Sequence, residues 1–248
     1  MLRHELLRAL HERLRPRTYL EIGVNDGRSL SLSRVRSVAI DPAFSVTSEL
    51  RGDVHLVRAT SDEFFARPDP LQHLQGRPID LAFIDGMHLA EFALRDFMNV
   101  ERYTSPASVI VLDDVLPRDV DEAARRRHTK FWAGDVYKVP QTLRRLRPDL
   151  VVLDVDTQPT GTCVVLLPDA GSRVLLDRYD ELMAEMVVPD PQDVPVELLE
   201  RKDAVDPVRL VESPIWSRLQ LLRHRKRGTP DDVRTVIRDA VESVRVSA

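Results

Sequence analysis

Residues 18–30 read TYLEIGVNDGRSL, and this stretch decides the fold. Its first five residues form a short apolar run rich in strand formers. The run breaks at Gly23 into a turn that closes at Gly27, where the pattern predicts a helix over 28–33. A strand that turns through glycines into a helix leaves backbone N–H groups where a ligand can approach the chain closely. That is how a nucleotide-type site begins. Glu21 precedes Gly23 by two residues, and Asp41 ends the next apolar run, 37–40. Carboxylates at both places suit the paired hydroxyls of a ribose.

The glycine spacing separates two cofactor classes. A dinucleotide site uses G-x-G-x-x-G, with the middle glycine admitting a pyrophosphate. Here Val24, Asn25 and Asp26 lie between Gly23 and Gly27. An acid at 26 is a poor neighbour for a pyrophosphate and an acceptable one for the sulfonium and ammonium of S-adenosylmethionine (SAM). The pattern E-x-G-x-x-x-G followed by an acid after the second strand resembles motifs I and II of class I SAM-dependent methyltransferases. The resemblance implies a cofactor site drawn from Glu21, Gly23, Asn25, Gly27 and Asp41. A dinucleotide enzyme, or a glycine turn without chemistry, are the other readings of this stretch alone.

The whole sequence has 248 residues, enough to bury a substantial core in one α/β domain with an appendage or in two small domains. A net charge of −4 leaves no surplus of basic groups to neutralise phosphates, which argues against a general nucleic-acid binder. Cys163 is the only cysteine, so an intramolecular disulfide and a thiolate metal cluster are both excluded, and a reducing cytoplasm is expected. The first sixteen residues, MLRHELLRALHERLRP, are interrupted by charges throughout and lack the apolar centre of a signal peptide. No apolar run approaches the roughly 20 residues needed for a membrane span.

Outward from the glycine turn, residues 2–14 read as an amphipathic helix with Leu2, Leu6, Leu7, Leu10 and Leu14 on one face, covering an edge of the sheet. A brief helix is expected at 47–51 and a third strand at 54–59. Another helix follows, with Ser61 as N-cap and Phe64 and Phe65 as its buried face. In the resemblance, Ser61 and Asp62 border the adenine. The fourth strand, 79–84, is an almost unbroken apolar run of the kind a parallel sheet buries. A helix follows to about 103, then a fifth strand at 108–112, a helix at 135–147, and strands at 150–155 and 162–167 with Gly161 between them. Five βα units and a terminal antiparallel hairpin make an α/β, Rossmann-like, doubly wound seven-stranded sheet. The domain runs over 1–168. Beyond it, 169–248 is a Pro-rich, helical extension that caps, covers as a lid or oligomerises, with helices expected at 174–187, 215–222 and 231–246. The N-terminal helix and this extension are the segments available for a homo-oligomer.

Catalytic groups of a parallel sheet lie at the C-terminal strand ends. Asp85 ends the fourth strand, and the pair Asp113 and Asp114 ends the fifth. Three converging carboxylates repel one another unless a cation sits among them. Oxygen ligands with one nearby histidine, His88, suit Mg²⁺, Mn²⁺ or Ca²⁺ better than zinc. FIDGMH followed by VIVLDD resembles the metal-dependent O-methyltransferases of the catechol, macrolide-sugar and cephamycin types, over about 19–167. The resemblance implies that Asp85, Asp113 and Asp114 hold Mg²⁺ or Mn²⁺, that Asp85 also borders the cofactor, and that His88 is the catalytic base. A metal-bound hydroxyl would lose its proton to His88 as it attacks the methyl group. The acidic pair and the histidine favour a sugar or oligosaccharide acceptor over a catechol, in the manner of the methylmannose-polysaccharide type of enzyme. Segment 131–138, FWAGDVYK, offers Trp132, Asp135, Tyr137 and Lys138 as a wall of the acceptor pocket. The rivals are an NAD-dependent oxidoreductase and a catalytically silent SAM-binding subunit.

Overall fold

The computed structural model of the chain describes residues 1–224 and 230–245. Seven strands make one sheet: β1 (Thr18–Ile22), β2 (Arg36–Ile40), β3 (Val54–Val57), β4 (Ile79–Ile84), β5 (Thr104–Asp113), β6 (Val151–Val155) and β7 (Thr162–Leu166). Their order is β3-β2-β1-β4-β5-β7-β6, parallel throughout except for β7, which runs antiparallel to both β5 and β6. The helices, in chain order, are α1 (Arg3–Leu14), α2 (Ser61–Phe65), α3 (Ala90–Glu101), α4 (Lys138–Leu146), α5 (Tyr179–Met186), α6 (Val196–Leu199), α7 (Pro207–Glu212), α8 (Ile215–His224) and α9 (Pro230–Arg245).

Strand alternation divides the core into two. Leu20, Ile22, Ala82, Ile84, Ile110 and Leu112 face α2, α3, α4 and α5. Tyr19, Ala39, Leu81, Phe83, Val109 and Val111 face α1, α7, α8 and α9. Because both faces are covered, β1, β4, β6 and β7 are buried at every residue, which is why they read as continuous apolar runs.

Several expectations are corrected. The helix at 28–33 shrinks to a single 3₁₀ turn, Leu30–Leu32. The Ser31 hydroxyl competes for a backbone group by bonding Arg28 O, and the Ser29 hydroxyl is drawn to the Glu21 carboxylate. Residues 47–51 form no helix, because the Thr47 and Ser48 N–H groups are drawn to Asp26 O across the glycine turn. The N-cap of α2 is Thr60, which closes a reciprocal capping box with Glu63. α4 begins at Lys138 and not at 135. α1 lies over a sheet face, not an edge; Leu6, Leu7, Leu10 and Leu14 are fully buried there, while Leu2, at the N-cap, is 55% exposed. With only a 3₁₀ turn between β1 and β2, the face a crossover helix would cover is closed by α1 and the C-terminal helices. The last expected helix is present as α9; its predicted end, Val246, lies outside the described residues.

Candidate active site

The C-terminal ends of β1, β4 and β5 meet at one place. β1 leads into Gly23, at φ +88°, and a Cβ there would stand 1.8 Å from the carbonyl oxygen of Asp85. Glycine is required because the turn after β1 and the end of β4 touch backbone to backbone. Asp41 then gathers the turn: one carboxylate oxygen accepts from the N–H groups of Val24 and Asn25 at 2.8 Å each, and the other from Ala43 N–H at 2.6 Å. The turn amides expected to be free are thus bonded within the protein. Asp41 keeps acceptor capacity beyond these bonds and is part exposed.

Glu21 departs from expectation. It is fully buried, and its carboxylate accepts from Tyr19 Oη at 2.6 Å and Ser29 Oγ at 2.7 Å. Burial pushes its pKa up to about 8 against those donors. Ser61 and Asp62 are also engaged: Asp62 pairs with Arg95 through two contacts of 2.7 and 3.1 Å, and the Ser61 hydroxyl bonds Asp96.

The acids at the strand ends do not act as one trio. Asp85, His88 and Asp114 present ligand atoms that all lie within 4.8 Å of one another. His88 Nε2 is 3.4 Å from Asp85 Oδ1 and 3.2 Å from Asp114 Oδ2. The second approach lacks hydrogen-bond geometry, so the buried Asp114 Oδ2 has no hydrogen-bond partner. Asp114 sits at φ +61° just past β5, and its other oxygen accepts from Thr160 Oγ1. Asp113 stands apart from this group: its carboxylate bonds Arg3, whose Nη1 also lies 3.3 Å from Asp85 Oδ2. Expected as a metal ligand, Asp113 is instead an ion-pair partner.

His88 is held from behind. Its Nδ1 lies 2.7 Å from the carbonyl oxygen of Trp132, which can only accept, so Nδ1 carries the hydrogen. The Trp132 ring stacks on the imidazole at 5.1 Å and 21°, and its Nε1–H bonds Ala124 O at 2.6 Å. Gly134, at φ +60°, lies so close that a Cβ there would be 1.7 Å from His88 O. Burial disfavours the charged imidazole, but Asp85, Asp114 and the Trp132 carbonyl outweigh it and hold its pKa at about 9. The two carboxylates thus favour a charged imidazole, and a cation bound at Nε2 would take the place of the proton there. Burial and the neighbouring negative charge push Asp113 upward, and burial raises Asp114.

Of the four side chains expected from segment 131–138 as an acceptor wall, Trp132 lies against His88. Asp135 is fully buried, accepting from Ala90 N–H at 2.8 Å, Arg125 Nη1 at 2.7 Å and Lys138 Nζ at 3.0 Å. Lys138 Nζ also bonds Met186 O and Gln192, and the buried Tyr137 donates to Asp193 O at 3.2 Å. These three side chains are bonded to neighbouring segments of the protein. Sequence reasoning missed Arg3 and Thr160; neither carries a local signal, since their partners lie 110 and 46 positions away.

A cavity of about 640 Å³ lies among α4, the end of β6 and residues 195–209, bordered by Leu116, Arg144, Asp154, Arg201 and Asp203. Of its lining, Leu116 lies two residues past Asp114; its N–H donates to Thr160 O at 2.7 Å and its carbonyl accepts from Arg201.

Residues 20–115 match the model of a family described as a methyltransferase domain. That span takes in the glycine turn and all three strand-end acids. Among solved structures, the cofactor-bound protein Rv0187 from MTB is 19% identical with a TM-score of 0.50, covering 67% of this chain and 79% of that one. A proposed caffeoyl-CoA O-methyltransferase from Staphylococcus aureus is 16% identical with a TM-score of 0.50, covering 66% and 82%. The SAM-bound O-methyltransferase TomG of Streptomyces achromogenes, involved in tomaymycin synthesis, is 21% identical with a TM-score of 0.49, covering 67% and 79%. No curated protein matches the sequence. The class defined is the Rossmann-like methyltransferase fold, a seven-stranded mixed sheet with alternating helices and further helices at the C-terminus. Within it, the stretch similar to the methyltransferase-domain model is 20–115, the part that runs from β1 to β5. Among the described residues, no helix is long and apolar enough to cross a membrane.

Proposed function

We propose that this chain transfers the methyl group of SAM to a hydroxyl of a small molecule, foremost a sugar or oligosaccharide. The observation that carries this reading is the convergence of Asp85, His88 and Asp114 beside the glycine turn of β1, in the crevice where strand order reverses.

The residues fit a divalent cation. Two carboxylates and one imidazole suit Mg²⁺ or Mn²⁺, the buried Asp114 Oδ2 has no hydrogen-bond partner, and His88 gives its second N–H to a carbonyl, as metal-ligating histidines do. Asp85, Asp114 and His88 Nε2 would hold the ion, which when bound lowers the pKa of an acceptor hydroxyl and fixes its orientation. His88 then serves as a ligand and not as the base. Gly23 brings the β1 turn against Asp85, which keeps cofactor and acceptor sites adjacent. Asp41 and Asn25 border the cofactor. Trp132 holds the imidazole plane and shields one side of it from water.

The sugar reading draws on the cavity that Leu116 lines, whose size suits a small ligand. Gln141, Arg144, Asp154, Arg201 and Asp203 mix donors and acceptors around it, as a polyhydroxyl compound requires.

Calorimetric titration with S-adenosylhomocysteine, with and without Mn²⁺, on the native chain and on Asp114→Ala tests the proposal. Micromolar binding to the native chain, with the Mn²⁺ response lost in the variant, is expected. No binding of S-adenosylhomocysteine under either condition would sink the methyl-transfer reading and favour a dinucleotide enzyme or a non-catalytic protein.

A further inference from the structure

Arg3, the first residue of α1, reaches across to the ends of two strands. Its guanidinium bonds Asp113 and lies 3.3 Å from Asp85 Oδ2, with the side chain 30% exposed. The backbone around it is anchored at the same end of the sheet: Arg3 N–H donates to Gln158 O at 3.4 Å, and Gln158 N–H donates to Met1 O at 2.9 Å. Two residues on from Gln158, Thr160 bonds Asp114. One short loop therefore fixes both the guanidinium and the farther carboxylate. Asp85 is divided between the two sides, its Oδ1 toward His88 and its Oδ2 toward Arg3.

We infer that Arg3 is the resident cation of this cluster and a positioning residue for its ligands: it withholds Asp113 from the ligand set and competes with a divalent ion for Asp85. The inference rests on reading Asp85, His88 and Asp114 as a cation site, and it goes beyond that reading by making the strength of the site a property of α1. Three carboxylates this close require positive charge, and a guanidinium supplies one unit of it without leaving the chain. Its planar fork can span two carboxylates, which a lysine ammonium cannot do with the same geometry. Removing it would leave Asp113 and both oxygens of Asp85 free to join an incoming ion.

The test is a Mn²⁺ titration of the full chain at one fixed pH, without SAM, following free Mn²⁺ by electron paramagnetic resonance. Arg3→Met keeps an apolar stem of similar length, and it is expected to bind Mn²⁺ about tenfold more tightly than the native chain as one repelling charge is removed. Arg3→Lys should fall between the two. The gain should vanish in the double variant Arg3→Met with Asp113→Asn, because Asp113 is the ligand released. Arg3→Met should also melt lower than the native chain without Mn²⁺ and recover with it, whereas loss of a merely structural contact would lower melting equally in both conditions. Unchanged or weaker Mn²⁺ binding by Arg3→Met, or a gain that survives in the double variant, would overturn the inference. Should Arg3→Met fail to fold, Arg3→Lys decides: tighter binding supports the inference and unchanged binding refutes it. Because the titration omits SAM, either result stands apart from whether S-adenosylhomocysteine binds.

Discussion

Glu21 illustrates how burial can turn a motif residue toward a different task. The sequence sets this acid against a ribose, yet in the fold it is fully buried, bonded to Tyr19 and Ser29, with its pKa pushed up to about 8 by burial. The sign of the consequence follows from proton counting. Between the ordinary value of 4.5 and about 8, the native state keeps a proton that the unfolded chain has lost, so stability falls as pH rises through that window. The loss attributable to Glu21 is on the order of 5 kcal/mol once the pH exceeds 8. Urea unfolding of the native chain and of Glu21→Gln between pH 5 and 9 should show the native chain losing stability more steeply. Equal slopes would mean that burial does not govern this carboxyl. Asp96, whose pKa burial raises to about 7, is present in both proteins and cancels in the difference. The motif itself was legible, since a strand, a glycine and an acid at this spacing are local facts. The direction of the Glu21 side chain was not, because it depends on Ser29 and Tyr19 closing around it. Arg3 was less legible still: it is one of many arginines, and its partners lie on strands far along the chain.

At the level of elements, α3 begins without a cap of its own. Leu89 stands at its N-cap and has no side-chain acceptor, so the Ala90 N–H is satisfied by Asp135 from the segment that leads into α4. The same carboxylate binds Arg125 and Lys138, and Arg125 in turn grips Glu91 in the first turn of α3. Asp135→Ala removes a cap and leaves two partly buried cations short of a partner, for a loss of about 3 kcal/mol. Asp135→Asn retains an acceptor for Ala90 and should lose less. Chemical denaturation of both variants measures the ranking, and an alanine variant no less stable than the asparagine one would refute the cap. The consequence extends to the site, because Gly134, beside Asp135, packs on the backbone of His88. Strands β1, β4 and β5 and the hairpin of β6 and β7 could be read from apolar runs and punctuating residues. The pairing of segment 131–138 with the start of α3 could not. FWAGDVYK carries the composition of a pocket wall, and only the tertiary path shows that three of its side chains are bonded to neighbouring segments.

Across the whole molecule, the end of the sheet opposite the active site is tied by charge. Asp80, fully buried at the start of β4, accepts from the Arg17 backbone N–H at 2.8 Å and from its Nε at 3.0 Å, and lies 3.4 Å from Nε of Arg223 on α8. Arg223 also donates to the carbonyls of Leu14 and Arg15, where α1 ends. Asp80→Asn would leave the Arg223 guanidinium, 2% exposed, without its counter-charge, at a cost of about 3 kcal/mol. Hydrogen exchange should then quicken first in α8 and the end of α1; uniform quickening would mean that the contact does not join these helices to the sheet. The doubly wound sheet was legible in full, whereas the covering of its second face was not, since only packing reveals that α1 and the C-terminal helices stand in for a missing crossover helix. That arrangement bears on the order in which the protein is made. One half of the core draws its last fully buried helical residue, Met186, from α5, while the other joins Leu6, Leu7, Leu10 and Leu14 to Trp216, Leu219, Ile237 and Val241 of α8 and α9. A chain leaving the ribosome can close the first half early. It must hold the second half open, with the leucines of α1 unburied, until α8 and α9 have emerged.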